Sequence, residues 1–199
     1  TKEADGKIYS LGGVNDCYHC QYARRMWVNQ KYLKEMGVEI PTTTEEFKNV
    51  CKKFLEYKKG GIAVAGAAQG WHTRMQDWLM GAFTFVPSKS ATLNARDYVV
   101  LNDETKKVET VANSDAYKEG LKYMRDLYKM GAIYDGNFTQ TSEQLRTLAN
   151  QEDEPVLFFT AGVNSDIIDP DSNNKLYRNY VPMAPIKGPD GTQIAWTIH

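Results

Sequence analysis

The sequence predicts an α/β domain, in which strands and helices alternate along the chain. Short apolar runs typical of buried strands, such as Ile62 to Gly66, alternate with segments whose apolar residues recur every three or four positions. Capping residues and glycines mark where several of the helices begin and end. The 199 residues are 42% hydrophobic and contain no low-complexity linker. We therefore expect residues 1–199 to form a single domain around one sizeable core.

The first elements are two strands and a short helix. Apolar, β-favouring residues predict strands over Lys7 to Leu11 and over Arg24 to Val28, the second stopping at Asn29. Helix formers predict a short helix over Lys31 to Met36. Gly37 suits the left-handed position that closes a helix.

A second helix begins after Pro41, which blocks continuation from upstream. Two pairs of residues have the spacing of a capping box, in which a hydroxyl and a carboxylate satisfy backbone amides at the helix start. They are Thr42 with Glu45 and Thr43 with Glu46. The apolar residues of this helix share one face and should pack on the core: Phe47, Val50, Cys51, Phe54 and Leu55.

The middle of the chain predicts a helix, a hairpin and a longer helix. The first helix is expected over Trp71 to Phe83, with Met75, Trp78, Leu79 and Ala82 on one face. The strands Asp97 to Leu101 and Lys107 to Val111 flank a polar turn and should form a hairpin. Ser114 is a suitable N-cap for the longer helix, whose apolar stripe precedes Gly131 and comprises Tyr117, Leu121, Met124 and Tyr128.

The last third of the chain continues the alternation. Thr141 is expected to cap a short helix through Ala149, and an apolar strand follows over Val156 to Phe159. Tyr180 to Pro185 reads as a final extended element, and a turn follows over Lys187 to Thr192.

Composition argues against several classes of function. Lys and Arg number 24 against 25 Asp and Glu, so the chain lacks the broad basic surface that nucleic-acid binding uses. The longest apolar stretch, around Ile62 to Ala68, is too short to span a bilayer. The three histidines are accompanied by no nucleophile-elbow, Walker or dinucleotide-binding motif. We therefore expect no nucleic-acid partner, no cofactor and no catalytic residue.

The three cysteines leave one alternative open. Cys51 lies on the apolar side of its helix, which predicts a buried and unreactive thiol. Cys17 and Cys20 flank His19 with a spacing that suits a disulfide, a redox pair or half of a zinc site. We favour free thiols or a structural bridge and expect no metal, because no second metal-binding motif follows. The alternative is a thiol- or zinc-dependent enzyme that also uses His72.

The order of these elements resembles the extracellular solute-binding proteins of bacterial ABC transporters, the family of maltose-binding protein and the oligosaccharide-binding lipoproteins. In that family a strand ending in Asn precedes a short helix, a Gly and a Pro-Thr-Thr-x-x-Glu-Phe helix, as here between residues 24 and 54. The segments GKIYSLGG, SDAYKEGLKYMRDLYKMGAI, EPVLFFTAG and YVPMAPIKGPDGT also fall in the family's order. The resemblance implies one lobe of a type II periplasmic-binding-protein fold, with a mixed sheet flanked by helices. It further implies that this is the C-terminal lobe and that the N-terminal lobe is absent.

The same resemblance implies a function in uptake. Family members close two lobes on a small-molecule ligand, here expected to be a sugar or oligosaccharide, and deliver it to permease subunits in the membrane. The protein should be extracellular, either anchored to the cell envelope as a lipoprotein or periplasmic. A protein-interaction domain whose aromatic residues meet a partner remains a further possibility.

Ligand candidates lie in three loops expected beyond the carboxyl ends of strands. Sugars pack their C–H faces on aromatic rings and pair their hydroxyls with planar polar groups. Trp71 is the strongest candidate, because the resemblance places it near a stacking aromatic of maltose-binding protein, although it could instead pack under its own loop. Gly162 could permit backbone approach or simply form a turn. The candidate set is Asn15, Asp16, Tyr22, Arg25, Gln69, Trp71, His72 and Gly162.

Overall fold

The protein folds around a four-stranded sheet, as shown by a computed structural model that describes residues 5–9, 24–70, 72–87, 98–102, 104–151, 156–171 and 176–195. The sheet has the order β2-β5-β1-β6. β1 pairs antiparallel with both β5 and β6, whereas β2 pairs parallel with β5, so the sheet is mixed. A separate antiparallel hairpin joins β3 and β4. The strands are β1 (Arg25–Asn29), β2 (Ile62–Ala65), β3 (Val99–Leu101), β4 (Val108–Thr110), β5 (Val156–Ala161) and β6 (Tyr180–Met183).

Helices connect and flank these strands, as the alternating sequence pattern predicts. They are α1 (Gln30–Met36), α2 (Thr44–Tyr57), α3 (Met75–Met80), α4 (Asp115–Lys129) and α5 (Ser142–Ala149). Short 3-10 turns lie at Val111–Asn113, Asp135–Phe138, Asn164–Asp166 and Leu176–Asn179. Within the described ranges, no helix combines the length and the apolar character needed to cross a membrane.

Several helices begin or end at the capping residues that the sequence predicted. Thr43 and Glu46 form the capping box of α2, because the Thr43 hydroxyl accepts from the Glu46 N–H at 3.2 Å and the Glu46 carboxylate accepts from the Thr43 N–H. Gly37 has φ 63° and closes α1, as predicted. Ser114 and Thr141 accept backbone hydrogen bonds at the starts of α4 and α5.

The sheet divides the buried residues into two clusters, because successive strand side chains point to opposite faces. On one face Phe158 packs against Phe47 of α2, with ring centroids 4.6 Å apart, and Trp78 of α3 belongs to the same cluster. On the other face Phe159 packs against Tyr180, at 4.8 Å. Cys51 is fully buried in the first cluster, and burial raises the pKa of its thiol far above its usual range.

Two predicted elements need correction. The helix expected from Trp71 begins only at Met75, because Gly70 and His72 have positive φ angles of 134° and 60° that an α-helix does not accommodate. Trp71 itself lies outside the described residues. The strand expected over Lys7 to Leu11 is not formed at Lys7–Tyr9, and its last two residues are not described.

The apolar stripe of α4 has a different environment from that of α2. Leu121 and Tyr128 are each 46% exposed, while α4 uses Gly120 and Leu127 as its buried contacts. The stripe lines an open groove of about 400 Å³ between α3, α4 and the 3-10 turn at Asp135–Phe138.

Candidate ligand-binding site

Most of the described candidates meet at one edge of the sheet. The register pairs Arg25 with Ala161 and Met26 with Met183, while Ala65 lies beside Phe159. The carboxyl ends of β2, β5 and β6 and the amino end of β1 therefore share this edge. The loop after β2, the exit of β5 and the two arginines before and within β1 converge here, as the rule for α/β sheets predicts.

Arg25 and Gly162 are in direct contact at this edge. The half-buried Arg25 guanidinium donates through Nη1 to the carbonyl oxygen of Gly162. Beside it, Nε1 of Trp27 donates to the carbonyl of Ala161 at 3.3 Å. Two side chains of β1 thus hold the carbonyl groups at the carboxyl end of β5.

Arg24 takes the opposite orientation and forms a buried ion pair. Its Nη1 lies 2.7 Å from Oδ2 of Asp77, and each of these side chains is only 4% exposed. Nε of Arg74 lies 3.4 Å from the same carboxylate oxygen. The pairing of Asp77 with Arg24 was not predicted from sequence, since the two residues are 53 positions apart. The pair fastens α3 to the residue that precedes β1.

His72 lies close to both arginines. Burial and then the positive charge of Arg24 lower the pKa of His72 to about 4, with Asp166 acting in the opposite direction and Arg25 adding to the depression. The imidazole is therefore neutral at pH 7, and a neutral imidazole offers one hydrogen-bond donor and one acceptor. That combination suits a sugar hydroxyl.

Of the remaining candidates, the structure describes only Gln69. Gln69 is exposed in the same loop as His72, where its backbone bridges to Thr141. Asn15, Asp16, Tyr22 and Trp71 lie outside the described residues, as do Cys17, His19 and Cys20 of the enzyme alternative. Among the residues that are described, no group of three or more His, Cys, Asp or Glu side chains could hold a metal ion.

A shallow cavity of about 290 Å³ opens at this edge. Two arginines and a set of mostly apolar residues line it: Arg24, Arg25, Trp78, Pro182, Met183, Ala184, Pro185 and Ala195. Enclosed sites for small molecules usually measure about 300–1,000 Å³ and bury most of the ligand. An open cavity of this size can hold one side of a ligand.

The sequence also matches a known family over almost its whole length. Residues 2–198 fit the family model of the bacterial extracellular solute-binding proteins. The chain belongs to this family. The fructooligosaccharide ABC transporter substrate-binding protein FusA of Streptococcus pneumoniae is 29% identical over 140 residues, which are 65% of this chain and 24% of FusA.

Solved structures of similar proteins show the same fold. The S. pneumoniae FusA complex with kestose superposes with a TM-score of 0.70 at 20% identity, over 99% of this chain and 39% of that one. An HMO-binding solute-binding protein from Bifidobacterium longum infantis gives 0.71 at 19% identity, over 96% and 40%. Maltose-bound MalE3 of T. maritima gives 0.60 at 18% identity, over 85% and 40%. The mixed sheet flanked by helices is that of type II periplasmic-binding proteins, and this chain spans about two fifths of each structure.

Proposed function

We propose that this chain is one ligand-binding lobe of an extracellular solute-binding protein that captures an oligosaccharide for an ABC transporter. Its family supports this proposal, as do relatives that bind kestose, maltose and HMO ligands. The protein binds and releases its ligand without chemical change. It works outside the membrane, either anchored to the cell envelope or periplasmic, and passes the ligand to membrane permease subunits.

The observation that carries the proposal is the convergence of separate segments at one sheet edge. Arg25, Gly162 and His72 come from three different parts of the chain and lie together beside an open cavity. Guanidinium, carbonyl and neutral imidazole groups provide both donors and acceptors for sugar hydroxyls. Trp71, adjacent to His72 in sequence, supplies the stacking ring that a pyranose or furanose face requires.

The rest of the proposal concerns the whole protein. Residues 1–199 form a single domain, and a second lobe completes the site from the other side of the open cavity. Closure of the two lobes on the ligand stabilises the conformation that the permease subunits bind. Because each lobe supplies part of the contacts, this lobe alone binds the ligand much more weakly than the whole protein.

The test is isothermal titration calorimetry with the full-length protein that contains this chain. The glycan panel comprises kestose, maltose, stachyose and an HMO, which represent ligands of the similar proteins. We expect saturable binding of at least one panel glycan, weakened roughly fivefold or more by Trp71→Ala or His72→Ala, since each loses a contact of about 1 kcal/mol or more. Tyr57→Ala is the matched control, because Tyr57 is exposed on α2, which carries no ligand candidate. Binding that neither site variant weakens would contradict the assigned site.

A further inference from the structure

The loop between β2 and α3 is fastened at both of its ends by buried polar side chains. This segment, residues 66–70 and 72–74, is here called the β2–α3 loop, and it carries Gln69 and His72. At its start, the N–H of Gly66 donates to Oδ1 of Asn137, and Nε2 of Gln140 donates to the carbonyl of Gly66. Asn137 and Gln140 are 1% and 7% exposed. The backbone N–H and the backbone carbonyl of Gly66 are therefore both held by side chains from outside the loop.

The end of the loop is held from the opposite side. Oγ1 of Thr160, a fully buried residue of β5, donates to the carbonyl of Thr73 at 2.6 Å. The same carbonyl accepts from the N–H of Ala67 at 2.9 Å, which closes the loop on itself. A Cβ atom added to Gly66 would lie 2.7 Å from this carbonyl oxygen, so only glycine permits the closure.

His72 lies between these two attachments and has an unfavourable backbone conformation. Its φ of 60° lies in the left-handed region, which residues with a side chain seldom occupy, although His does so more often than most. Such strain persists where the surrounding structure determines the backbone, and it is concentrated at functional sites. The attachments at Gly66 and Thr73 help to impose it, together with the hydrogen bond from the Ala68 N–H to the Gln140 carbonyl at 3.0 Å.

We propose that Asn137, Gln140 and Thr160 are positioning residues that form the β2–α3 loop before ligand arrives, so that His72 is already placed beside Arg25. This inference rests on the proposed function, since it assumes that His72 meets the ligand. A preformed loop avoids the entropy cost of ordering during binding, and its loss weakens affinity without removing any direct contact. Neither Asn137 nor Gln140 was a candidate from sequence.

Thr160→Val tests the proposal, because it removes the hydroxyl and keeps the shape of the side chain. In the full-length protein we expect roughly tenfold weaker binding of the tightest panel glycan. In the unliganded protein, hydrogen exchange at the Ala67 amide should accelerate by a similar factor, since the carbonyl that it binds is no longer fixed. Thr160→Ser keeps the hydroxyl, so glycan affinity and Ala67 exchange should both stay close to those of the unmodified protein.

Thr43→Val is the matched control. It removes another threonine hydroxyl, which accepts a hydrogen bond from the Glu46 N–H at the start of α2. This helix carries no ligand candidate. It should lower Tm while leaving glycan affinity and Ala67 exchange unchanged. If Thr160→Val behaves like this control, or accelerates exchange without weakening affinity, the positioning role is wrong.

Two further outcomes remain decisive. If Thr160→Val does not fold, Gln140→Met removes the hydrogen bond to the Gly66 carbonyl and should produce the same two changes. If no panel glycan binds even the unmodified protein, the proposed function fails. Exchange at Ala67 in the unliganded variants then still shows whether the loop is held as described, and an unchanged rate overturns the inference.

Discussion

The buried ion pair between Arg24 and Asp77 allows a quantitative test of how α3 is fastened to the residue that precedes β1. Asp77→Leu leaves the Arg24 guanidinium, 4% exposed, without the carboxylate oxygen that lies 2.7 Å away. Removing one partner of a buried, hydrogen-bonded ion pair costs about 3–5 kcal/mol, largely because the remaining charge stays out of water. Arg74 adds little to this cost, since its side chain is 27% exposed and can be hydrated.

The assay is urea denaturation followed by tryptophan fluorescence, with Trp27 and Trp78 as buried reporters on the two faces of the sheet. The cycle comprises Arg24→Met, Asp77→Leu and the double variant. We expect the double variant to be at least about 2 kcal/mol more stable than Asp77→Leu alone, because no buried charge is left behind. A loss below about 1 kcal/mol in Asp77→Leu, or strictly additive losses in the double variant, would refute this reasoning.

Three further predictions concern single side chains. The folded-state pKa of His72, about 4, is below its unfolded value near 6.5. The contribution of neutral His72 to the free energy of unfolding is therefore complete above pH 6.5 and declines as the pH falls towards 4. His72→Gln should reduce the difference between urea midpoints at pH 7 and pH 4.5, and an unchanged difference would contradict the shift. In a Cys17→Ser, Cys20→Ser background, Cys51 should react with a thiol reagent only as fast as the protein unfolds, because its thiol is fully buried; rapid native labelling would be contrary evidence. Phe158→Ala should lower the free energy of unfolding, measured by urea denaturation, by about 3–5 kcal/mol, since the ring is fully buried against Phe47. A loss of about 1 kcal/mol would contradict this, because it would mean that the surrounding side chains fill the cavity.

Local physics explains the elements that were predictable from sequence. The Thr43–Glu46 capping box, the left-handed Gly37 and the Ser114 cap depend on residues within four positions of each other. Their chemistry is therefore visible without the fold. The start of α3 was predicted too early because Gly70 and His72 have positive φ angles, which the residue pattern after Gly70 does not reveal.

The same distinction applies to the site. Gly162 could be chosen as a candidate because ligand-binding groups collect beyond the carboxyl ends of strands in α/β sheets. Arg25 could be chosen because it opens a strand, whose side chains alternate between the two faces. The two residues touch at the same edge. The partners of Asp77 and Thr160 could not be predicted. A carboxylate within a helix and a hydroxyl within an apolar strand gain their roles only from partners 53 and 87 positions away.

The most direct test of the central claim is calorimetric titration of the glycan panel into the full-length protein, with Trp71→Ala as the companion variant. Ligand capture at the described sheet edge predicts saturable binding of at least one glycan and weaker binding of that glycan in the variant. A correctly folded full-length protein that binds no glycan would contradict the account.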